Sequence, residues 1–419
     1  MKIILQLFII VTLTLLISER TKANGLLEIF DISLDQTDSQ RFLALPFAFY
    51  TESTKFSYGG AAVSRNYGQS GLNLVGGGYH STNDSYGTVV GLYNYSPKFL
   101  KKYIYFDAQY YSMKGAEDFM YYDTNKVSLN SNQHESVGRV DGVSRFQSSI
   151  ISMTYVAPIN EKSKSEKVVE NSKTPKNRSY DELNLNSLRE GRIELELSRF
   201  YDKVSMVSKQ DGAFGGYSIG GKIKLEYDNR DFPGSPSLGS KSFVEVSRDW
   251  GSHDRSSYTK LEFDHSQYLP LANFSFTRQQ TIALNFYYSN ILDWDEDNKP
   301  AWFAQSNLGG LKKLRGYQYS RFFGKSALYG SAEYRLTPKS NIFKKIPLIK
   351  KIDIPWWQVV ASIEVGRVTD TVDLKEYLTD PKYSYGLGVR ALIEGIVVRA
   401  GMSMSEESSL FRIMVNQTF

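Results

Sequence analysis

Arg315 and Glu364 are the pair of residues in this sequence with the most specific chemical potential. Arg315 lies in the run Gly309-Gly310-Leu311-Lys312-Lys313-Leu314-Arg315-Gly316-Tyr317, and Glu364 lies in Ser362-Ile363-Glu364-Val365-Gly366. A guanidinium and a carboxylate that meet away from bulk water form a two-pronged, charge-assisted contact. Such a contact fixes a loop and breaks no bond. Gly316, directly after the arginine, would let the loop backbone approach whatever surface it docks on. The other candidates for chemistry are His80, His134, His253 and His265, the four histidines of the chain. Hydrolysis would need one of them beside an Asp, Ser or Asn. Asp264 and His265 are neighbours in an alternating stretch, so they point to opposite faces, and His253-Asp254 falls in a short connection. A glycine-rich phosphate loop is absent, and with 0 Cys there is no cysteine–histidine metal set. These residues predict no enzyme, no metal and no cofactor.

The elements that must position Arg315 and Glu364 are strands. Trp357, Val359, Ala361, Ile363 and Val365 share one face of an alternating run, and Glu364 falls on the other. Between Tyr383 and Ala391, apolar residues alternate with Ser384, Gly386, Gly388 and Arg390. Ile193, Leu195 and Leu197 alternate with Arg192, Glu194, Glu196 and Ser198. The chain closes with Phe411, Ile413, Val415 and Phe419 opposing Arg412, Met414, Asn416 and Thr418, the terminal aromatic signal usual in outer-membrane barrels. Each run is about the 9 to 11 residues that a tilted membrane strand needs. Counting back from Phe419, strands are expected near 411–419, 395–404, 382–393, 357–368, 325–337, 277–290, 256–269, 239–250, 215–229, 190–202 and 143–157. Five more fit near 118–130, 102–113, 85–97, 70–82 and 55–66, which makes about sixteen, an even number as in bacterial single-chain barrels. The expected fold is all-β: a transmembrane antiparallel barrel over 55–419 with 291–324 as its sixth outer connection and 337–356 on the inner side.

Composition agrees with that reading. Aromatics are abundant, with 29 Tyr and 24 Phe against 5 Trp, while mean hydropathy is slightly negative at -0.37. Lipid-facing apolar residues alternating with lumen-facing polar ones produce such an average. Lys222, Lys224, Glu226, Glu262, Glu333, Arg335 and Arg399 then form an electrostatic lumen lining. Met1-Lys2 followed by the apolar run Ile3 to Ile17 and by Thr21-Lys22-Ala23 predicts a signal peptide, 1–23, with a short periplasmic segment over 24–54. That run is too short to span a bilayer comfortably, and no longer one follows. The formal charge of +5 includes Lys2, Arg20 and Lys22 against Glu19 in the signal segment, and the remainder gives no reason to expect a nucleic-acid partner. The charged stretch from Asn160 to Arg189 and the basic, apolar stretch Lys344 to Lys351 read either as a solvated loop and a headgroup-contacting turn or as partner-docking segments.

The run around Leu314-Arg315-Gly316-Tyr317, with Arg321-Phe322-Phe323-Gly324 and Glu333-Tyr334-Arg335 after it, resembles the outer-membrane assembly superfamily, the BamA/TamA-type bacterial surface antigen barrels. In that family a Val/Ile/Leu-Arg-Gly-Phe/Tyr segment tips the sixth outer loop, which folds back into the lumen. Its arginine contacts an acidic residue of a Phe/Trp-x-Asp-x-Gly pattern on the strand after next. Ser362 to Gly366 stands at that place, with Glu364 for the aspartate and Ser362 for the aromatic. Asp228-Asn229-Arg230-Asp231-Phe232-Pro233, through Pro236 and Gly239, resembles the family's Asp-x-Arg-Asp turn, and Leu45 to Ser53 resembles the entry to its first strand.

The resemblance implies a role in inserting or transporting proteins or lipids at the outer membrane, with lipid and a separate periplasmic protein as candidate partners. Its route is a weak seam between first and last strands, with which the polar Asn416 and Gln417 are compatible. Members that assemble or translocate proteins carry periplasmic POTRA domains ahead of the barrel, and the interval 24–54 has no room for one. A passive pore or structural surface barrel is the alternative.

Overall fold

The computed structural model describes residues 41–51, 55–69, 71–97, 99, 103–123, 132, 137–158, 191–210, 212–231, 235–293, 299–346, 354–393 and 396–415. The expected signal peptide, the stretch from Asn160 to Arg189, residues 347–351 of the basic connection, and Asn416, Gln417 and Phe419 lie outside them.

Alternation becomes strand throughout. The chain forms β1 (Arg41–Thr51), β2 (Lys55–Arg65), β3 (Asn73–Ser81), β4 (Tyr86–Tyr95), β5 (Ile104–Asp123), β6 (Val137–Pro158), β7 (Arg192–Ser208), β8 (Gly212–Asp228) and β9 (Gly239–Asp249). It continues with β10 (Tyr258–Leu271), β11 (Thr277–Ile291), two three-residue strands β12 (Ser306–Leu308) and β13 (Phe322–Gly324), then β14 (Ser326–Pro338), β15 (Trp357–Thr369), β16 (Lys382–Ile393), β17 (Ile396–Met404) and β18 (Ser409–Val415). Sixteen of these make one antiparallel sheet in sequence order, β1 to β11 and then β14 to β18, while β12 and β13 pair with each other inside the β11–β14 connection. The sheet curls into a barrel, and that connection reaches walls from β5 round to β18. Among the described residues no helix is long and apolar enough to cross a membrane.

The two faces of each strand separate as the alternation requires. Ile193, Leu195 and Leu197 of β7 and Tyr383, Tyr385, Leu387 and Val389 of β16 lie exposed on the outside. On the inside, Arg192 pairs with Glu194 at 3.0 Å, Lys222 with Glu245 at 3.1 Å, and Lys224 and Lys241 with Glu226 at 2.6 and 3.2 Å. Each charge is answered by one on the same or the next strand, which lets a lumen hold charges at modest desolvation cost.

Sixteen strands are present, but two of the expected ones are placed differently. The segment 118–130 is not a strand of its own: β5 runs through from Ile104 to Asp123 against β6, with a register irregularity between Gly115 and Asp118. A bulge adds a residue and shifts the alternation by one, which mimics a turn followed by a new strand. The sixteenth strand is instead β1, so the barrel begins at Arg41 rather than at residue 55, and Leu45 to Thr51 belong to the first strand instead of leading into it. The two displacements cancel from β6 onward, so the side assigned to every later connection stands. Between them, the four segments expected as 55–66, 70–82, 85–97 and 102–113 run opposite to the direction expected, as β2, β3, β4 and the first half of β5.

The wall is uneven in height. β5 and β6 have 20 and 22 residues and β7 and β8 have 17 each, whereas β9 has 11 and β17 has 9. β4 leaves β5 at Lys114, and β9 begins to pair with β8 only at Gly220. The excess of β5 to β8 therefore rises as a palisade at the end of the barrel that carries the β11–β14 connection.

Candidate functional site

The β11–β14 connection folds inward because it carries its own apolar core. Leu308, Leu314, Tyr317 and Phe322 from the loop pack with Tyr287, Ala327, Tyr329 and Val368 from the wall, all buried. Tyr317 and Phe322 meet edge to face at 4.9 Å. Leu314 adopts φ +48°, unusual for a branched side chain, and this turns the chain so that its side chain enters the core while the next residue faces the wall. Nearer the start of the loop, Trp302 and Phe303 pack on the palisade around Met120, Val204 and Met206.

Arg315 stands at the tip. Its backbone N–H donates to Glu364 Oε2 at 2.6 Å and its Nε to Glu364 Oε1 at 2.8 Å, so one carboxylate receives both. Its Nη1 reaches past Glu364 to Glu333 Oε1 on β14 at 2.9 Å. Tyr329 donates its hydroxyl to Glu364 Oε1 at 2.7 Å. The second oxygen of Glu333 accepts from Arg335 Nη2 at 2.8 Å and from Arg390 Nη2 at 2.7 Å. Glu333 and Glu364 are 0% and 1% exposed, which places the whole group away from bulk water. Three guanidiniums thus share two carboxylates. Removing one member of such a group leaves an uncompensated buried charge.

Gly316 docks the loop backbone on the last hairpin. A Cβ there would lie 2.6 Å from the Met404 carbonyl oxygen and 2.8 Å from Ser384 Oγ, so only glycine fits. Its N–H donates to Ser384 Oγ at 2.7 Å, and its carbonyl accepts from Ser405 Oγ at 2.8 Å and Ser408 Oγ at 2.7 Å. Arg412 of β18 donates to the Arg315 and Tyr317 carbonyls. Tyr317 OH reaches Glu406 at 3.3 Å, and Arg321 pairs with Glu407 at 2.7 Å. Gly366 lies against the loop as well, where a Cβ would come within 2.9 Å of Leu308 Cδ1.

All six residues expected at this contact, Leu314, Arg315, Gly316, Tyr317, Glu364 and Gly366, therefore meet in one place. Glu333, Arg335 and Arg390 were legible as inward-facing but not as members of the contact. Ser384 was legible on the polar face of its strand but not as a member of the contact, and Ser405 and Ser408 carried no signal, because a serine in a polar hairpin is the ordinary composition of a turn.

The other segments singled out in the sequence lie apart from this site. In the β8–β9 turn, Asp228 receives Arg230 Nε at 3.0 Å and Nη2 at 2.8 Å, and Asp231 accepts from the Ser237 and Leu238 N–H groups at 2.9 and 3.1 Å. Burial works against the charge of Arg230, but the Asp228 carboxylate outweighs it and holds the guanidinium above its usual range. Asp264 and His265 do point apart: Asp264 accepts from Asn285 at 2.7 Å, while the His265 ring lies 2.7 Å from Ser242 Oγ. Asp254, beside His253, accepts from Tyr217 OH at 3.0 Å. Phe411 is exposed on the outer face of β18.

No protein-family model and no curated protein matches the sequence. Solved structures do match. The barrel is similar to BamA from Haemophilus ducreyi lacking POTRA domains 1–3, with TM-score 0.50 and 12% identity, covering 90% of this chain and 68% of that one. It is similar to CdiB from Escherichia coli, with TM-score 0.54 and 11% identity over 91% of this chain and 62% of that one. CdiB from Acinetobacter baumannii aligns with TM-score 0.51 and 10% identity over 90% and 59%. The fold is that of the BamA-type barrels, and the chain spans between about three-fifths and two-thirds of the length of these structures.

Proposed function

We propose that this chain is an outer-membrane barrel that acts in the insertion or transport of proteins or lipids, with the β11–β14 loop held in the lumen by Arg315. The observation that carries the proposal is the docking of Arg315 and Gly316 onto Glu364 and the β17–β18 hairpin. A passive wall has no use for a buried group of three guanidiniums on two carboxylates, which is costly to assemble unless it positions something. Here it positions a loop against the last two strands, the part of the wall that would move if the barrel opened sideways. The exposed apolar belt of β7, β8 and β16 suits lipid. The chain is read as a non-enzyme, exported by its signal segment and working with a separate periplasmic protein.

The test is the quantitative outer-membrane proteome and lipid content of a deletion strain, complemented with the wild-type chain or with Arg315→Ala. Loss of a defined set of barrels or lipids, restored by the wild type and not by Arg315→Ala, supports the proposal. An unchanged envelope assigns the chain to the passive pore or surface-barrel class.

A further inference from the structure

We infer that the inner wall beneath the loop tip is a binding site for a phosphate-type oxyanion. A cavity of about 60 Å³ opens there on the lumen side of β15 to β18. A single water needs roughly 10–15 Å³ measured in the same way, so the space holds a tetrahedral anion with some of its hydration.

The hollow exists because lumen-facing positions that would carry side chains are glycine. Gly386 and Gly388 alternate with outward Leu387 and Val389 on β16, and Gly401 faces Gly388 across the β16–β17 ladder. Around the hollow stand Arg315, Arg390, Arg399 and Arg412, one each from the loop, β16, β17 and β18. Arg390 and Arg399 are direct cross-strand partners. Like charges directly opposite one another repel, and at these two positions both are buried. Ser362 and Ser403 add hydroxyl donors at the cavity wall. Among the described residues, no carboxylate lines it.

Charge makes the chemistry specific. Arg399 and Arg412 stand on the same cavity wall as Arg315 and Arg390, so four guanidiniums face one hollow. Cations gathered in a half-enclosed polar hollow are stabilised by an anion that accepts from several of them, and guanidinium matches the oxygen spacing of phosphate. A carboxylate ligand would fill fewer of these donors. The oxyanion has two possible sources, a free phosphate and the phosphate of a lipid headgroup lying in the lumen.

Purified full-length chain in non-ionic detergent is titrated with inorganic phosphate by calorimetry, and its phosphorus-bearing lipids are counted by ³¹P NMR and mass spectrometry. The same is done for Arg399→Gln, Arg399→Lys and Ser403→Asp, each checked for heat-modifiable gel mobility as evidence of a folded barrel. Binding of inorganic phosphate that weakens about tenfold or more in Arg399→Gln, the loss of one charge-assisted hydrogen bond, and less in Arg399→Lys assigns the site to free oxyanion. A stoichiometric phosphate-bearing lipid that occupies the wild type, excludes added phosphate and is lost in Arg399→Gln assigns it to a headgroup. Ser403→Asp, which sets a carboxylate at the rim without touching an arginine, gives the same loss if Arg399→Gln does not fold. The inference is overturned if the wild type takes up neither species, or if folded Arg399→Gln or Ser403→Asp binds as the wild type does. These readouts do not depend on transport, so they fail or succeed separately from the proposed function.

Discussion

Arg315 gives Glu364 both its backbone N–H and its guanidinium, so main chain and side chain of one loop residue end on one carboxylate. The loop is therefore fixed in position and in direction at once. Charge reversal of either residue should lower barrel stability by about 3–5 kcal/mol, the cost of breaking a buried pair. Arg315→Glu combined with Glu364→Arg should recover part of that loss but not all, since Glu333 would then face a carboxylate. Melting of the unheated band on a gel measures the cycle, and strictly additive damage would reject the coupling.

Glu333 accepts from three arginines where Glu364 accepts from one arginine and one tyrosine. Glu333→Gln should thus be more destabilising than Glu364→Gln in the same assay. The reverse order would mean that the loop contact, not the charge count, dominates the network.

Gly316→Ala drives a methyl group into the Met404 backbone. Overpacking of this kind costs about 1–3 kcal/mol, and here it should be felt as release of the loop. Limited trypsin digestion would cut after Lys312, Lys313, Arg315 or Arg321 in the variant and spare these four sites in the wild type. Equal resistance in both would show that the loop tolerates withdrawal from the hairpin.

At the outer end, Asp293 accepts from the Thr259 N–H and from Arg248, and from Thr259 Oγ1 at 3.2 Å. Burial alone would raise its pKa, but the Thr259 N–H and Arg248 outweigh it and hold the carboxyl below the ordinary range. A depressed folded pKa means stability that is present above the unfolded value of ~3.9 and lost as pH falls through the folded one. Wild type should exceed Asp293→Asn in stability at neutral pH, with the difference closing in acid below about pH 4. A difference that persists in strong acid would place the effect in shape, not charge.

Ile223 is exposed on the outside of β8 and sits opposite Leu197 on β7. If that face meets lipid, Ile223→Arg should cost about 2–4 kcal/mol in vesicles. Unfolding in urea from lipid vesicles tests this, and an unchanged midpoint would remove the face from the hydrocarbon.

Much of this architecture could be read from residue types because a barrel writes itself as period-two alternation, clearest from β7 onward. β1 was unreadable for a physical reason: Phe42 to Tyr50 is apolar at almost every position and contains Pro46, which argues against a central strand. Pro46 is tolerated because β1 stands at one end of the ladder order and pairs with β2 alone among the described strands. The bulge near Gly115 reversed the alternation of β5 and so looked like a second strand. At the site, Arg315 and Glu364 could be paired because one lay in a distinctive loop and the other on a known face. Arg412 and the three serines could not, because only the hairpin's closeness to the loop gives them a role.

The same loop that packs Trp302 and Phe303 into the tall wall is tied by Gly316 and Arg412 to the short one. Mechanically it is a tie-rod across the cylinder. Squeezing the cross-section into an oval, or letting its short side swing outward, would put that rod under tension. The barrel can then deform in two ways: by parting the rod at its serine-clasped end, or by dragging the palisade along with the hairpin.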